Sequence, residues 1–173
     1  WESYTWSDYG QKAREIGSGL LYLGLNRGDV FSVISDNNKE WLFTDMGIIG
    51  AGGVTSGVYT TDSPKQLKYL INDSNSRFLF VENEEQLDKY LAIRGETPGI
   101  EKVIIYDSEG LHDFKDEKLC MIADLYEMGR QFDNANPGLW DSKIAESQPA
   151  DLMVLIYTSG TTGPPTGAMI RHL

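Results

Sequence analysis

The sequence predicts an α/β fold, a mostly parallel sheet flanked by helices. Three observations carry that prediction. Short apolar runs alternate with segments of ten or so residues whose apolar positions recur at helical spacing, the order that βαβ units produce. The 173 residues are 40% hydrophobic, enough for a real core in one domain or in part of a larger one. The most Gly-, Ser-, Thr- and Pro-rich stretch follows an apolar strand directly, which is where parallel sheets present their ligand sites.

Taken in order, Ser7 reads as an N-cap, and Tyr9, Ala13, Ile16, Leu20 and Leu23 form one apolar helical stripe that Gly24 stops. Arg27, Gly28 and Asp29 make a turn before the strand Val30–Ile34. Asp36, Asn37 and Asn38 close that strand, and a helix follows from about Lys39 with Leu42, Met46 and Ile49 facing inward and Trp41 in the core. A strand is expected over Val54–Val58. Ser63 then caps a helix with Pro64 at its first position and Leu67, Leu70 and Ile71 inside. A buried strand over 77–81, a helix over 84–93, a strand over 101–106 and a helix over 119–132 complete the pattern, and 134–148 carries no regular signal.

Residues 152–157 have the length and composition of a buried strand. The ten residues 158–167 are all Gly, Pro, Ser or Thr. Such a stretch does not continue a strand, and Pro164 and Pro165 keep it out of a helix. Glycines 160, 163 and 167 permit positive φ and bare backbone, so successive N–H groups can point at one anion, with the hydroxyls of Thr158, Ser159, Thr161 and Thr162 around it. That chemistry suits a polyphosphate. No Gly-Lys-Ser/Thr follows, so it is not the P-loop NTPase motif.

Composition narrows the partners. A formal net charge of −11 argues against nucleic acid and anionic membrane surfaces. No apolar run reaches the length of a membrane span, and no signal peptide is evident. One cysteine, Cys120, excludes an internal disulfide and fits a reducing, cytoplasmic compartment. Two histidines, His112 and His172, and one cysteine give no metal-ligand spacing, and Cys120 reads as filler rather than a nucleophile. Glu82, Glu84 and Glu85 read as a solvated helix start, and Gly17-Ser18-Gly19 lies inside a helix, so it is no dinucleotide fingerprint.

Written out from Tyr157 to Ile170, the Gly-rich stretch resembles the phosphate-binding signature of adenylate-forming enzymes: acyl-CoA synthetases, firefly-type luciferases and peptide-synthetase adenylation domains. Gly19-Leu20, Leu23-Gly24-Leu25, Gly28-Asp29, Asn38, Glu40-Trp41, Ala51-Gly52-Gly53, Val58-Tyr59, Thr61 and Ser63-Pro64 fall in the order that long-chain acyl-CoA synthetases show. The resemblance runs nearly end to end. It implies the N-terminal subdomain of an AMP-forming long-chain fatty-acid–CoA ligase, a partial AMP-binding domain over 1–173 that ends just after the phosphate loop. The substrates so implied are ATP with Mg²⁺, a fatty acid and coenzyme A, and peripheral membrane association of the parent enzyme is compatible with it.

Residue by residue, Thr158, Ser159, Gly160, Thr161, Thr162 and Gly163 match the family's phosphate-contacting positions, and Gly167 keeps the turn. Thr166 stands where the family's pattern has Lys, so the loop's one point charge toward ATP is replaced by a hydroxyl, and the nearest cation in sequence is Arg171. No catalytic residue and no metal ligand is assigned in this chain. The adenine pocket, the acyl tunnel and the small C-terminal domain are expected downstream, which leaves the chain inactive as a ligase by itself and prone to self-association through surface exposed by truncation. Two other readings stay open, a non-catalytic nucleotide-binding module and a structural or interaction fragment.

Overall fold

The structure, a computed structural model, describes residues 2–111, 113–158 and 164–173. Helix α1 (Trp6–Tyr22) precedes β1 (Val30–Ile34), α2 (Lys39–Gly50), β2 (Val54–Val58), α3 (Pro64–Asp73), β3 (Ser76–Val81) and α4 (Glu84–Leu91). After a short 3₁₀ turn come β4 (Lys102–Ile105), β5 (Leu119–Met121), α5 (Ile122–Ala135), α6 (Leu139–Ala145), β6 (Leu152–Thr158) and β7 (Thr166–Arg171). Among the described residues these strands form one sheet in the order β5-β4-β3-β1-β2-β6-β7. Every neighbouring pair is parallel except β6 and β7. Helices α2, α3 and α4 carry the crossovers among the first four strands, because a parallel neighbour cannot be reached by a tight turn.

The period-two alternation of the strands separates two apolar layers. Phe31, Val33, Phe78, Phe80 and Ile104 pack under α1, α2, α5 and α6, with Trp140 of α6 buried among them. Ile34, Leu79, Val81, Val103 and Ile105 face α3 and α4. Phe31 and Phe78 stack at 4.9 Å across neighbouring strands, which fixes their register from the side chains as well as the ladder. Helices α1 and α5 cross closely at Gly19 and Gly129, where a Cβ would run into the opposing helix.

Several expectations are corrected. The cap of α1 is Thr5, whose hydroxyl and backbone N–H form a capping box with Asp8, so the helix takes in Ser7. In α2 the inward residues are Phe43, Gly47 and Ile48. Leu42 is 52% exposed and Met46 42%, whereas Ile49 is buried as expected. Trp41 is half-buried against the core. The stretch 119–132 begins with a strand, since three residues are too short to show a period. The unassigned 134–148 holds α6, anchored by Trp140. The strand 152–157 is only partly buried: Leu155 is inside and Ile156 is 47% exposed. Lastly, Thr166 and Gly167 lie in a strand, β7, because the prolines end at 165 and an antiparallel partner is available.

The other elements follow the sequence. Ser63 caps α3 with Pro64 in its first turn, Leu67, Leu70 and Ile71 are buried, Glu84 and Glu85 open α4, and Gly17–Gly19 sit within α1.

Candidate phosphate-binding site

Strand β6 lies parallel to β2, with Thr55 opposite Val154 and Ser56 opposite Leu155. Thr158 therefore leaves the sheet at the same edge as Ile34, Val58 and Val81, the carboxyl end of the parallel strands. The neighbouring connections at that edge are linked to one another. The Asp36 amide donates to Glu82 Oε2 at 2.8 Å, the Thr60 hydroxyl donates to Asp36 Oδ1 at 2.7 Å, and Lys89 donates to the Thr60 carbonyl. Asn38 Oδ1 accepts from the Trp41 amide at 2.8 Å and so caps α2 beside them.

The candidate loop is the connection of the β6–β7 hairpin. Thr158 pairs with Thr166 and Tyr157 with Gly167, so the two ends of the loop are held one strand spacing apart. Of the residues expected at the site, Thr158, Thr166 and Gly167 are placed together at this mouth, and both threonines are exposed. Ser159, Gly160, Thr161, Thr162 and Gly163 lie outside the described residues, as does His112. Gly167 does not sit in a turn, and its bare Cα leaves space beside Tyr157. It has no positive φ, and a Cβ on it would stand 3.2 Å from the Tyr157 ring on the same face of the hairpin.

Arg171 cannot stand in for the expected lysine. It pairs with Leu152 at the opposite end of the hairpin. Five residues of antiparallel strand put it about 17 Å from Thr166. A groove of about 650 Å³ opens beside the loop's exit, lined by Tyr59, Lys65, Tyr69, Tyr157, Pro164 and Pro165 among others. Lys65 is the cation on that lining. Asp62 also faces the groove, and burial raises its carboxyl above the ordinary range.

Among the described residues, two hydrogen bonds join the hairpin to α3. The Tyr157 hydroxyl donates to Asp73 Oδ2 at 2.7 Å, and the Tyr69 hydroxyl donates to the Pro165 carbonyl at 2.9 Å. Burial first, and the Asp73 carboxylate second, hold both phenols above the usual tyrosine range. Sequence reading missed these residues. Tyr69 and Asp73 share a helix face by their i,i+4 spacing, but nothing local says that a hairpin 84 positions away meets it.

No group of three or more His, Cys, Asp or Glu side chains that could hold a metal ion occurs among the described residues. Cys120 is buried and free. No helix is long and apolar enough to cross a membrane among those described.

The arrangement, a Gly/Ser/Thr/Pro connection at the carboxyl edge of a parallel sheet, can be set against known proteins. The family model for the AMP-binding enzyme matches residues 1–173. The chain belongs to the AMP-binding enzyme family. This AMP-binding chain is 34% identical over 172 residues to the long-chain-fatty-acid–CoA ligase ACSBG1 of Rattus norvegicus, covering 99% of this chain and 23% of that protein. The ACSBG1 ligase of Homo sapiens is likewise 34% identical over 175 residues, again with 99% of this chain and 23% of the relative covered. The chain thus spans about a quarter of the length of these relatives. Among solved structures, the anthranilate CoA ligase AuaEII in complex with anthranoyl-AMP superposes with a TM-score of 0.82 at 25% identity, over 99% of this chain and 30% of that one. A luciferase-like enzyme from the nonluminescent Zophobas morio mealworm gives 0.78 at 20% identity, over 99% and 37%, and confirms the fold.

Proposed function

We propose that this chain is the N-terminal part of the AMP-binding domain of an AMP-forming long-chain fatty-acid–CoA ligase, and that 158–167 is its polyphosphate loop. The observation that carries the reading is the Gly/Ser/Thr/Pro connection leaving β6 at the carboxyl edge of the sheet, in a chain matched throughout by the AMP-binding family. The reaction has two steps. A fatty-acid carboxylate oxygen attacks the α-phosphorus of ATP, the bond to the bridging oxygen breaks, and pyrophosphate leaves with the negative charge. The coenzyme A thiol then attacks the acyl carbon, loses its proton, and AMP departs. Backbone N–H groups and hydroxyls of the loop stabilise charge building on the leaving pyrophosphate and release it afterwards. Mg²⁺ enters with ATP, neutralising part of the triphosphate against a chain of net charge −11.

On this reading the chain alone completes neither half-reaction, since it spans 23% of its ligase relatives. Incubation of the purified chain with palmitate, Mg-ATP and coenzyme A is expected to yield no palmitoyl-adenylate and no palmitoyl-CoA. Either product overturns the claim of inactivity. Thr166 and the acidic balance favour a second reading, a scaffold or interaction segment whose loop binds no nucleotide. Its compartment is the cytoplasm, in keeping with one free buried cysteine. Self-association belongs to the same proposal: β7 is the sheet's edge strand among the described residues, and Ile156, Met169 and Ile170 on the hairpin are exposed. Sedimentation that stays monomeric at high concentration would remove that part.

A further inference from the structure

We infer that Tyr69 and Asp73 of α3 are positioning residues that hold the mouth of the β6–β7 hairpin by gripping both of its strands. This rests on the reading of 158–167 as a polyphosphate loop, and it adds residues that the loop's own sequence does not contain.

The grip is two-sided. On the entering strand, Tyr157 reaches Asp73 at 2.7 Å, immediately before Thr158. On the returning side, the Pro165 carbonyl accepts from Tyr69 at 2.9 Å, immediately before Thr166. The Tyr69 hydroxyl also stands 3.5 Å from Asp73 Oδ1, so one carboxylate faces both phenols. Proline at 165 has no N–H of its own, which leaves its carbonyl as the backbone group through which that residue can be tethered. A Cβ at 167 would come within 3.2 Å of the Tyr157 ring, so Gly167 leaves that ring unobstructed.

The platform is fixed to the core. Ser74 caps α3 directly after Asp73, and its hydroxyl lies 2.7 Å from that of Ser76 in β3. Ser76 in turn lies 2.8 Å from Ser32 in β1. These buried hydroxyls link the C-terminal end of α3 to two central strands, and Asn75, at φ 53°, makes the sharp reversal between them. A row of polar contacts therefore runs from the central sheet through α3 to the two residues that precede Thr158 and Thr166. A displacement of α3 would move both ends of the hairpin together.

The test uses the full ¹⁵N-labelled chain with Tyr69→Phe and Tyr157→Phe, each of which deletes the donating hydroxyl of one grip and keeps the ring. Amide hydrogen exchange reads the grip itself. Each variant is expected to speed exchange at Thr158 and Thr166 by roughly tenfold, while Val154, Ile170 and Phe80 keep their rates, because one local bond is lost and the sheet is not. Titration with magnesium pyrophosphate reads its consequence. The dissociation constant should rise roughly fivefold in each variant, as removal of one hydrogen bond predicts, with the melting temperature lowered by no more than about 2–4 °C. Asp73→Ala should reproduce Tyr157→Phe, and combining the two should add nothing further. Unchanged exchange at Thr158 and Thr166 overturns the grip, whatever pyrophosphate does. Faster exchange with an unchanged dissociation constant overturns the positioning role. Failure of the parent chain to bind pyrophosphate counts against the phosphate reading of the loop, and the exchange rates still decide the grip.

Discussion

Replacing Gly129 in α5 with alanine tests the tightest helix crossing in the domain. An added Cβ would overlap the Glu15 carbonyl oxygen, stand 2.7 Å from the Glu15 carbonyl carbon and 3.0 Å from the Gly19 nitrogen. All three are backbone atoms of α1, so no rotamer change relieves the clash. The 14-residue helix has to back away as a unit, loosening Ile122 and Leu125 against the core. Overpacking of this kind costs about 3 kcal/mol, the upper end of its usual range. Alanine returns about 1 kcal/mol in helix propensity, leaving a net loss of about 2 kcal/mol. For a domain of this length that lowers the melting temperature by roughly 4–8 °C. Gly10, in the exposed first half of α1, is the control: nothing lies within 4 Å of its Cβ position. Gly10→Ala should therefore stabilise, by about 0.5–1 kcal/mol. Thermal denaturation followed by circular dichroism at 222 nm reads both. A Gly129→Ala protein that melts at or above the parent temperature would refute the crossing geometry.

Two further outcomes follow from single residues. Burial, ahead of the nearby Asp124 charge, pushes the Cys120 thiol up to about 11. Labelling with a thiol-specific reagent at pH 8 should therefore be slow in the native chain and rapid in denaturant. The linkage has a definite sign. The folded thiol's value lies above its ordinary 9.0, so Cys120 leaves stability unchanged below that pH, then lowers it as pH rises toward 11 and the unfolded chain releases its proton first. At α3, Ser63→Ala removes a capping box in which the Ser63 amide donates to Gln66 Oε1 at 2.9 Å and the Gln66 amide donates to the Ser63 hydroxyl at 3.3 Å. Chemical denaturation should show a loss of about 1 kcal/mol, with Ser63→Asp recovering most of it.

The fold was legible wherever one rule dominated. Ser63 followed by Pro64 announced α3, and the apolar run at Val30–Ile34 and the short β-branched segment Val54–Val58 announced strands whose parallel pairing fits the helix between them. It was illegible where tertiary contact overrode local pattern. Leu42 and Met46 sit at helical spacing with Ile49, yet Ile49 is buried while the other two stay exposed. Leu119–Met121 is too short to show a period, and its strand state comes from pairing with β4. The loop's composition suggested a polyphosphate site, but its setting in the fold was not legible. A run of Thr, Gly and Pro hides the fact that Thr166 and Gly167 pair back on β6. The contacts from Tyr69 and Asp73 join residues far apart in sequence, so no spacing rule could propose them.

The central claim is that the β6–β7 connection is a polyphosphate cradle weakened by Thr166. A ¹⁵N amide titration with Mg-ATP of this chain beside a Thr166→Lys version tests it directly. The account predicts shifts confined to residues 158–167 and their contacts on α3. It also predicts binding about tenfold tighter in the Thr166→Lys version, as one charge-assisted hydrogen bond would give. A well-dispersed spectrum that shows no shift in either version would contradict the cradle and leave the chain as scaffold.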